Sequence, residues 1–317
     1  MEGETPSPDD LAGDTGEEVR AVNQKIIIGF DGSPSAQEAL DWALDEAVRT
    51  GNAAELIYAD EAPVWQPAAG MAATVAVRPP SYVDDVIGGM MDRAVDAARQ
   101  SHPLATVTGT VVRARPAAAL VEASARAGLV VLGSRGHSAV TGLFGSVASA
   151  VTAHAHSPVV LVRGKADPAA PVVAGIDGSP VLSAVLGFAA EQAAARKAPL
   201  WVIRAWPPIT GLWQESPQIA EKVTAVERKP FDERVDALRR AHPDLDITSR
   251  AVVEHPAAAL IRVAATAQLV VAGSRGRGAI RGMLLGSVSQ HLARQCPCTV
   301  AIVHSLTGTA PTERRRS

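Results

Sequence analysis

Five glycines, three arginines and two serines fall within the fifteen residues GSRGRGAIRGMLLGS, Gly273 to Ser287, directly after the apolar run LVVA. Glycine permits positive φ and lets backbone N–H groups come close to a ligand. Successive amides form an anion-binding nest, and a helix opening at Gly286-Ser287 adds its positive end. Arg275, Arg277 and Arg281 place cations beside it, and arginine recognises phosphate oxygens through charge-assisted hydrogen bonds. Residues of these types at this spacing suit the holding of a polyphosphate, with Ser287 capping the helix or donating to a phosphate. A second stretch, GSRGHSAVTGLFGS from Gly133 to Ser146, follows LVVL and is one residue shorter. His137 and Thr141 stand there in place of Arg277 and Arg281, so this loop should hold phosphate less well. An aspartate at another strand end accompanies each loop, Asp31 in GFDGSP and Asp177 in GIDGSP. Its carboxylate can accept from an adenine amino group or a ribose hydroxyl, while Asp-Gly is equally a turn signal.

These segments recur in a fixed order. KIIIGFDGSP (Lys25 to Pro34) matches PVVAGIDGSP (Pro171 to Pro180), RPAAAL (Arg115 to Leu120) matches HPAAAL (His255 to Leu260), and LVVLGSRG (Leu129 to Gly136) matches LVVAGSRG (Leu269 to Gly276). A whole domain is therefore used twice, with a period too long for a solenoid. The expected organisation is an acidic disordered tail over 1–22, a domain over 23–165, a linker over 166–171, a domain over 172–304 and a disordered tail over 305–317.

Within the first copy, IIIGF reads as a buried strand. Ser33 is placed to cap the next helix with Pro34 at its first position. Ala39, Leu40, Ala43, Leu44, Ala47 and Val48 share one helical face, and Gly51 ends that helix. ELIYAD, TVTGTVVRA, LVVLG and PVVLVRG supply four more strands. Helices fall between them around Asp84 to Gln100, over PAAALVEASARAG and over roughly Ser146 to His154. Such alternation predicts an α/β fold of two tandem domains, each a doubly wound, five-stranded parallel sheet covered on both faces. Ligands of such sheets sit at the carboxyl ends of strands, where the winding reverses.

The bulk properties of the 317 residues narrow the function. A net charge of −3 draws the chain to neither nucleic acid nor anionic lipid. The first residues have no basic start and no apolar h-region, so no signal peptide is expected. No apolar run has the roughly 18 residues of a membrane span. The two cysteines, Cys296 and Cys298, read as reduced packing residues, because side chains two apart on a strand are too distant to bridge. A cytoplasmic location is expected. The sequence lacks G-x-G-x-x-G opening a helix after the first strand, lacks G-x-x-x-x-G-K-[ST], and lacks the G-x-S-x-G elbow. His154 and His156 have no accompanying ligand cluster and read as helix-end residues, and the arginines of ERRRS read as a solvated tail.

On these residues the sequence resembles the universal stress protein family in its tandem two-domain form, over about Lys25 to Val162 and Val172 to Val303. ATP-binding members carry G-x2-G-x9-G-[ST] after their fourth strand, and Gly273, Gly276 and Gly286-Ser287 match it. The resemblance implies a Rossmann-like, HUP-type fold of strand order 3-2-1-4-5, with fifth strands pairing between domains. It implies ATP, with Mg²⁺, as the bound cofactor. In the second copy the implied contacts are Gly175, Asp177, Ala205 against adenine, Gly273, Ser274, Arg275, Gly276, Arg277, Gly278, Ala279, Gly286, Ser287 and Val288. In the first copy they are Gly29, Asp31, Gly133, Ser134, Arg135, Gly136, His137, Ser138, Ala139, Gly145 and Ser146, where the spacing is one residue short.

The implied role is a nucleotide-dependent regulator of a stress, hypoxia, dormancy or growth response, expected as a homodimer with an unidentified protein partner. No catalytic residue and no protein metal site is assigned. His137 is the one candidate base, and Arg277 replaces it in the second copy, which favours binding over turnover. Slow ATP hydrolysis is the most the residues support. The alternatives are a weak ATPase or nucleotidyl-transfer enzyme, and a nucleotide-free scaffold in which the loops are only turns.

Overall fold

The computed structural model describes residues 25–61, 80–134, 145–207, 217–276 and 285–304. The first half runs β1 (Lys25–Gly29), α1 (Pro34–Thr50), β2 (Ala54–Ala59), α2 (Pro80–Ser101), β3 (Val107–Val112), α3 (Pro116–Ser124), β4 (Ala127–Gly133), α4 (Ser146–His154) and β5 (Val159–Val162). The second repeats this order as β6 (Val172–Ile176), α5 (Leu182–Arg196), β7 (Leu200–Trp206), α6 (Pro217–Ala241), β8 (Ile247–Val253), α7 (Pro256–Ala264), β9 (Leu269–Gly273), α8 (Ser287–Gln295) and β10 (Thr299–Val303).

The ten strands form one sheet in the order β3-β2-β1-β4-β5-β10-β9-β6-β7-β8. Each half is parallel and of order 3-2-1-4-5. The halves join where β5 pairs antiparallel with β10, with Ala301 opposite Val160. Strand side chains alternate between two faces. Ile26 and Ile28 pack under α1 and α2, whereas Ile27 packs with α3 and α4. The core beneath α1, α2, α5 and α6 is continuous across both halves. Because β1 lies beside β4 while α1 and α3 cover opposite faces, their carboxyl ends flank a switch point. The pair β6 and β9 makes the second one.

Local chemistry sets the element ends. Ser33 Oγ accepts from the Ala36 N–H at 3.2 Å with Pro34 in the first turn, and Gly51 closes α1 in the left-handed region at φ 72°. Val48 departs from its expected place: it is exposed at the edge of the helical face, while Ala47 in the same turn is buried. The cysteines depart as well. Cys296 ends α8 and Cys298 precedes β10, so they do not share a strand, and their sulfurs lie 3.8 Å apart in the core. A hydrogen bond to Cys296, together with burial, pushes the Cys298 thiol up, and the same bond lowers Cys296.

One buried carboxylate ties the first four strands. Glu55 of β2 accepts from Lys25 Nζ of β1 at 3.0 Å, Thr110 Oγ1 of β3 at 3.1 Å and Arg126 Nη1, one residue before β4, at 3.0 Å. Burial raises its pKa, but the bonds from Arg126, Lys25 and Thr110 outweigh that and lower it from 4.5 to about 2. The folded state therefore holds this proton less tightly than the unfolded chain. The stabilisation is complete above about 4.5 and is lost as the pH falls towards 2. Urea midpoints should fall between pH 5 and pH 3 in the native chain and fall less in a Glu55→Gln variant. Equal slopes in the two proteins would assign the acid sensitivity to other groups.

Candidate functional site

At the carboxyl ends of β6, β7 and β9, between α7 and the start of α8, lies a cavity of about 380 Å³. That volume is within the usual range of small-molecule sites. Ile203, Ala205, Leu260 and Ala272 make an apolar wall, and Asp177, next to Gly276, completes the lining with Arg275 and the first residues of α8. Of the second-copy residues implied by the sequence, Gly175, Asp177, Ala205, Gly273, Arg275, Gly276, Gly286, Ser287 and Val288 all line it. Ser274 instead holds the loop. It is buried, its N–H donates to Val303 O at 2.7 Å, and its carbonyl accepts from the Gly286 N–H at 2.7 Å. Arg277, Gly278, Ala279 and Arg281 lie outside the described residues. Ile203, Leu260 and Ala272 were not anticipated. Strand alternation from Ala205 points to Ile203, but nothing local marks the other two.

The described glycines of the second-domain site are placed by space, not by dihedral angle. Among the described residues, positive φ occurs at Gly32, Gly51, Gly164 and Lys197, none of them in the loops. A Cβ on Gly175 would meet Leu260 Cδ1 at 2.5 Å, and one on Gly273 would meet Val181 Cγ2 at 2.5 Å. These two glycines let α7 and the start of α5 settle onto the strand ends. A Cβ on Gly276 would lie 2.8 Å from Asp177 Oδ2, and one on Gly286 would lie 3.3 Å from the Gly276 nitrogen. These two keep the loop ends closed together, and the bare Gly286 leaves room beside the Gly276 amide.

Asp177 also performs the turn role. Its Oδ1 accepts the Ser179 N–H at 2.9 Å, and Oδ2 faces Gly276. The expected cap at Ser287 is corrected. Gly286 is the N-cap, at φ −71° and ψ 156°, and Ser287 is the first helical residue. With no side-chain cap, the first-turn amides of α8 have no intrahelical partner and border the cavity. Ser289 Oγ donates to Gly273 O, which fixes that turn to the end of β9. Nearby, burial lowers the His304 pKa and Arg275 adds to the effect, so the imidazole next to β10 is neutral; its Nε2 meets Thr152 O at 2.9 Å.

In the first half, Gly29, Asp31, Gly133, Ser134, Gly145 and Ser146 occupy the corresponding strand ends and helix start. Asp31 Oδ1 accepts the Ser33 N–H at 2.9 Å. Gly145 is the N-cap and Ser146 the first residue of α4. The loop-closing bond from Gly145 N–H to Ser134 O is 3.4 Å, longer than its counterpart. Arg135, Gly136, His137, Ser138 and Ala139 lie outside the described residues. Among the described residues, no group of three or more His, Cys, Asp or Glu could hold a metal ion, and no helix is long and apolar enough to cross a membrane.

A family model described as the universal stress protein family matches residues 23–163 and 169–304. A universal stress protein of Mycobacterium tuberculosis is 32% identical over 305 residues, covering 88% of this chain and 95% of its own. One from Mycolicibacterium smegmatis is 33% identical over 298 residues, covering 89% and 98%. The crystal structure of a universal stress protein from Archaeoglobus fulgidus aligns with a TM-score of 0.60 at 17% identity, covering 89% of this chain and 99% of that one. That likeness is one of fold.

Proposed function

The chain belongs to the universal stress protein family, and from that premise we propose that its second domain binds ATP and that the protein is a cytoplasmic, nucleotide-dependent regulator of a stress, hypoxia, dormancy or growth response. One observation carries this reading: a single cavity brings together an apolar wall, a carboxylate and a helix start with no side-chain cap. A purine fits against Ile203, Ala205, Leu260 and Ala272. Asp177 suits a hydroxyl or amino donor. The amides of Gly276 and of the first turn of α8, with Arg275, suit the phosphates. Mg²⁺ would arrive with the polyphosphate and neutralise part of its charge. The choice of ATP among nucleotides rests on the G-x2-G-x9-G-[ST] match.

ATP ordering the loop next to α8 would shift the population of partner-competent states. The domain units are 23–165 and 172–304, joined by 166–171. β5 and β10 already pair within the chain, so a homodimer would be built from other surfaces. Asp177, the one carboxylate among the described residues of the lining, accepts the Ser179 N–H and suits the nucleoside, so retention rather than turnover is the proposed activity. The test is to denature the purified protein, chromatograph the supernatant and titrate the emptied protein with MgATP. ATP in the supernatant, or stabilisation by ~2.7 kcal/mol at about a hundred times Kd, supports the reading. ADP alone would favour a weak ATPase. No nucleotide and no thermal shift would leave a scaffold.

A further inference from the structure

The two switch points differ at one side chain that the repeat makes directly comparable. β9 ends LVVAG and β4 ends LVVLG, so Leu132 stands where the second domain has Ala272. In the second domain Ala272 pairs with Gly175, and both line the cavity. In the first, Leu132 follows Val131, the partner of Ile28, which places it beside Gly29.

What lies over the two glycines differs. The three atoms nearest a Cβ built on Gly175 all belong to Leu260 of α7. For Gly29 the nearest is Leu132 Cδ2 at 2.5 Å, followed by Leu120 Cδ1 of α3 at 3.1 Å. Leu120 is the counterpart of Leu260, so Leu132 is the addition. Its side chain lies against Gly29, whereas in the second domain Leu260 supplies the atoms nearest Gly175 and the Ala272 methyl does not come as close. It is 4% exposed and packs in one cluster with Ile57 and Leu120, the counterparts of Ile203 and Leu260. An isobutyl group thus stands in the first domain where the second has only a methyl, on the apolar wall against which a base would rest.

We propose that Leu132 is a built-in plug that closes the base site of the first domain, so that the chain binds one nucleotide, in the second domain alone. This rests on the ATP reading given above and goes further than the weaker phosphate hold expected of the shorter first loop. The first domain then keeps the loop sequence of a binding domain without its ligand.

The experiment is equilibrium titration of the full chain with MgATP, with melting curves confirming that each variant is folded. The native protein should bind one equivalent. Ala272→Leu, which installs a side chain the first domain already accommodates, should weaken binding at least a hundredfold. Leu132→Ala should raise the stoichiometry to two. Two equivalents in the native chain, or unchanged affinity in Ala272→Leu, would overturn the plug and leave the ATP reading standing. A single equivalent in folded Leu132→Ala would also overturn it. No binding by the native chain would overturn the ATP reading itself.

Discussion

Replacing Gly276 by valine is expected to weaken MgATP binding by about a hundredfold, equivalent to ~2.7 kcal/mol, with little change in folding. The glycine is not held at positive φ, so valine meets no backbone strain there. The obstacle is spatial: the new Cβ would lie 2.8 Å from Asp177 Oδ2. A carboxylate at the end of its side chain can turn away, which spares the fold but displaces the group suited to the ribose or base. The valine methyls would also occupy the cavity rim and screen the Gly276 amide. Losing a hydrogen bond to a charged ligand is worth roughly 1.5–3 kcal/mol, the size of the expected effect. Gly187→Ala, in α5 with open space around it, is the matched control. Titration calorimetry beside melting curves reads both quantities. An affinity within threefold of the native protein's, with the valine variant folded, would mean that the phosphates do not use these amides.

Why some of this was legible in the sequence and some was not follows from particular residues. The strand and helix alternation is readable because strands covered on both faces are apolar at every position, as Ile26, Ile27 and Ile28 are. The start of α1 is readable because capping is local: Ser33 needs only the amide three residues on. The strand order is not contained in periodicity, and it came through the resemblance. Val48 continues the periodic face of Leu44, but a helix pattern carries no record of how wide the buried face is, and Ala47 rather than Val48 is covered in the last turn. The cysteines were misplaced because a strand was extended backwards over what is a helix end, and that change of direction brings their sulfurs together.

At the site, residue types were legible and their reasons were not. The site glycines read as conformational, yet Gly175, Gly273 and Gly276 answer to atoms distant in sequence, those of Leu260, Val181 and Asp177. The LVVL and LVVA difference stood in the repeat from the start. It acquired meaning only when the register put Ala272 against Gly175 and showed which face of the strand the cavity occupies. A cavity is the space between elements, and no single segment encodes it.

Removing the Glu46 carboxylate as Glu46→Ala is expected to destabilise the chain by ~3–5 kcal/mol, since it strands a buried cation. Glu46, on α1 and 1% exposed, accepts from Gln192 Nε2 at 2.6 Å and from Arg196 Nη2 and Arg49 Nη2 at 2.9 Å each. Gln192 and Arg196 belong to α5, so the cluster crosses from one domain to the other. Arg196 also lies over the Trp42 ring, 4.9 Å from its centroid. Burial pulls its pKa down to about 10 against the upward pull of Glu46, so it stays charged at neutral pH while desolvation opposes that charge. Without Glu46, Arg196 would keep its positive neighbour Arg49 and lose the carboxylate that compensates both. The paired change Glu46→Leu with Arg196→Leu should recover most of the loss, because a well-packed apolar pair replaces a buried ion pair at little net cost. Urea unfolding of the three proteins measures this. A Glu46→Ala loss below about 1 kcal/mol, the usual worth of a solvated pair, would mean that water relaxes into the cluster. A double variant that is stable but unfolds in two steps would assign the cluster a different role, that of coupling the two domains.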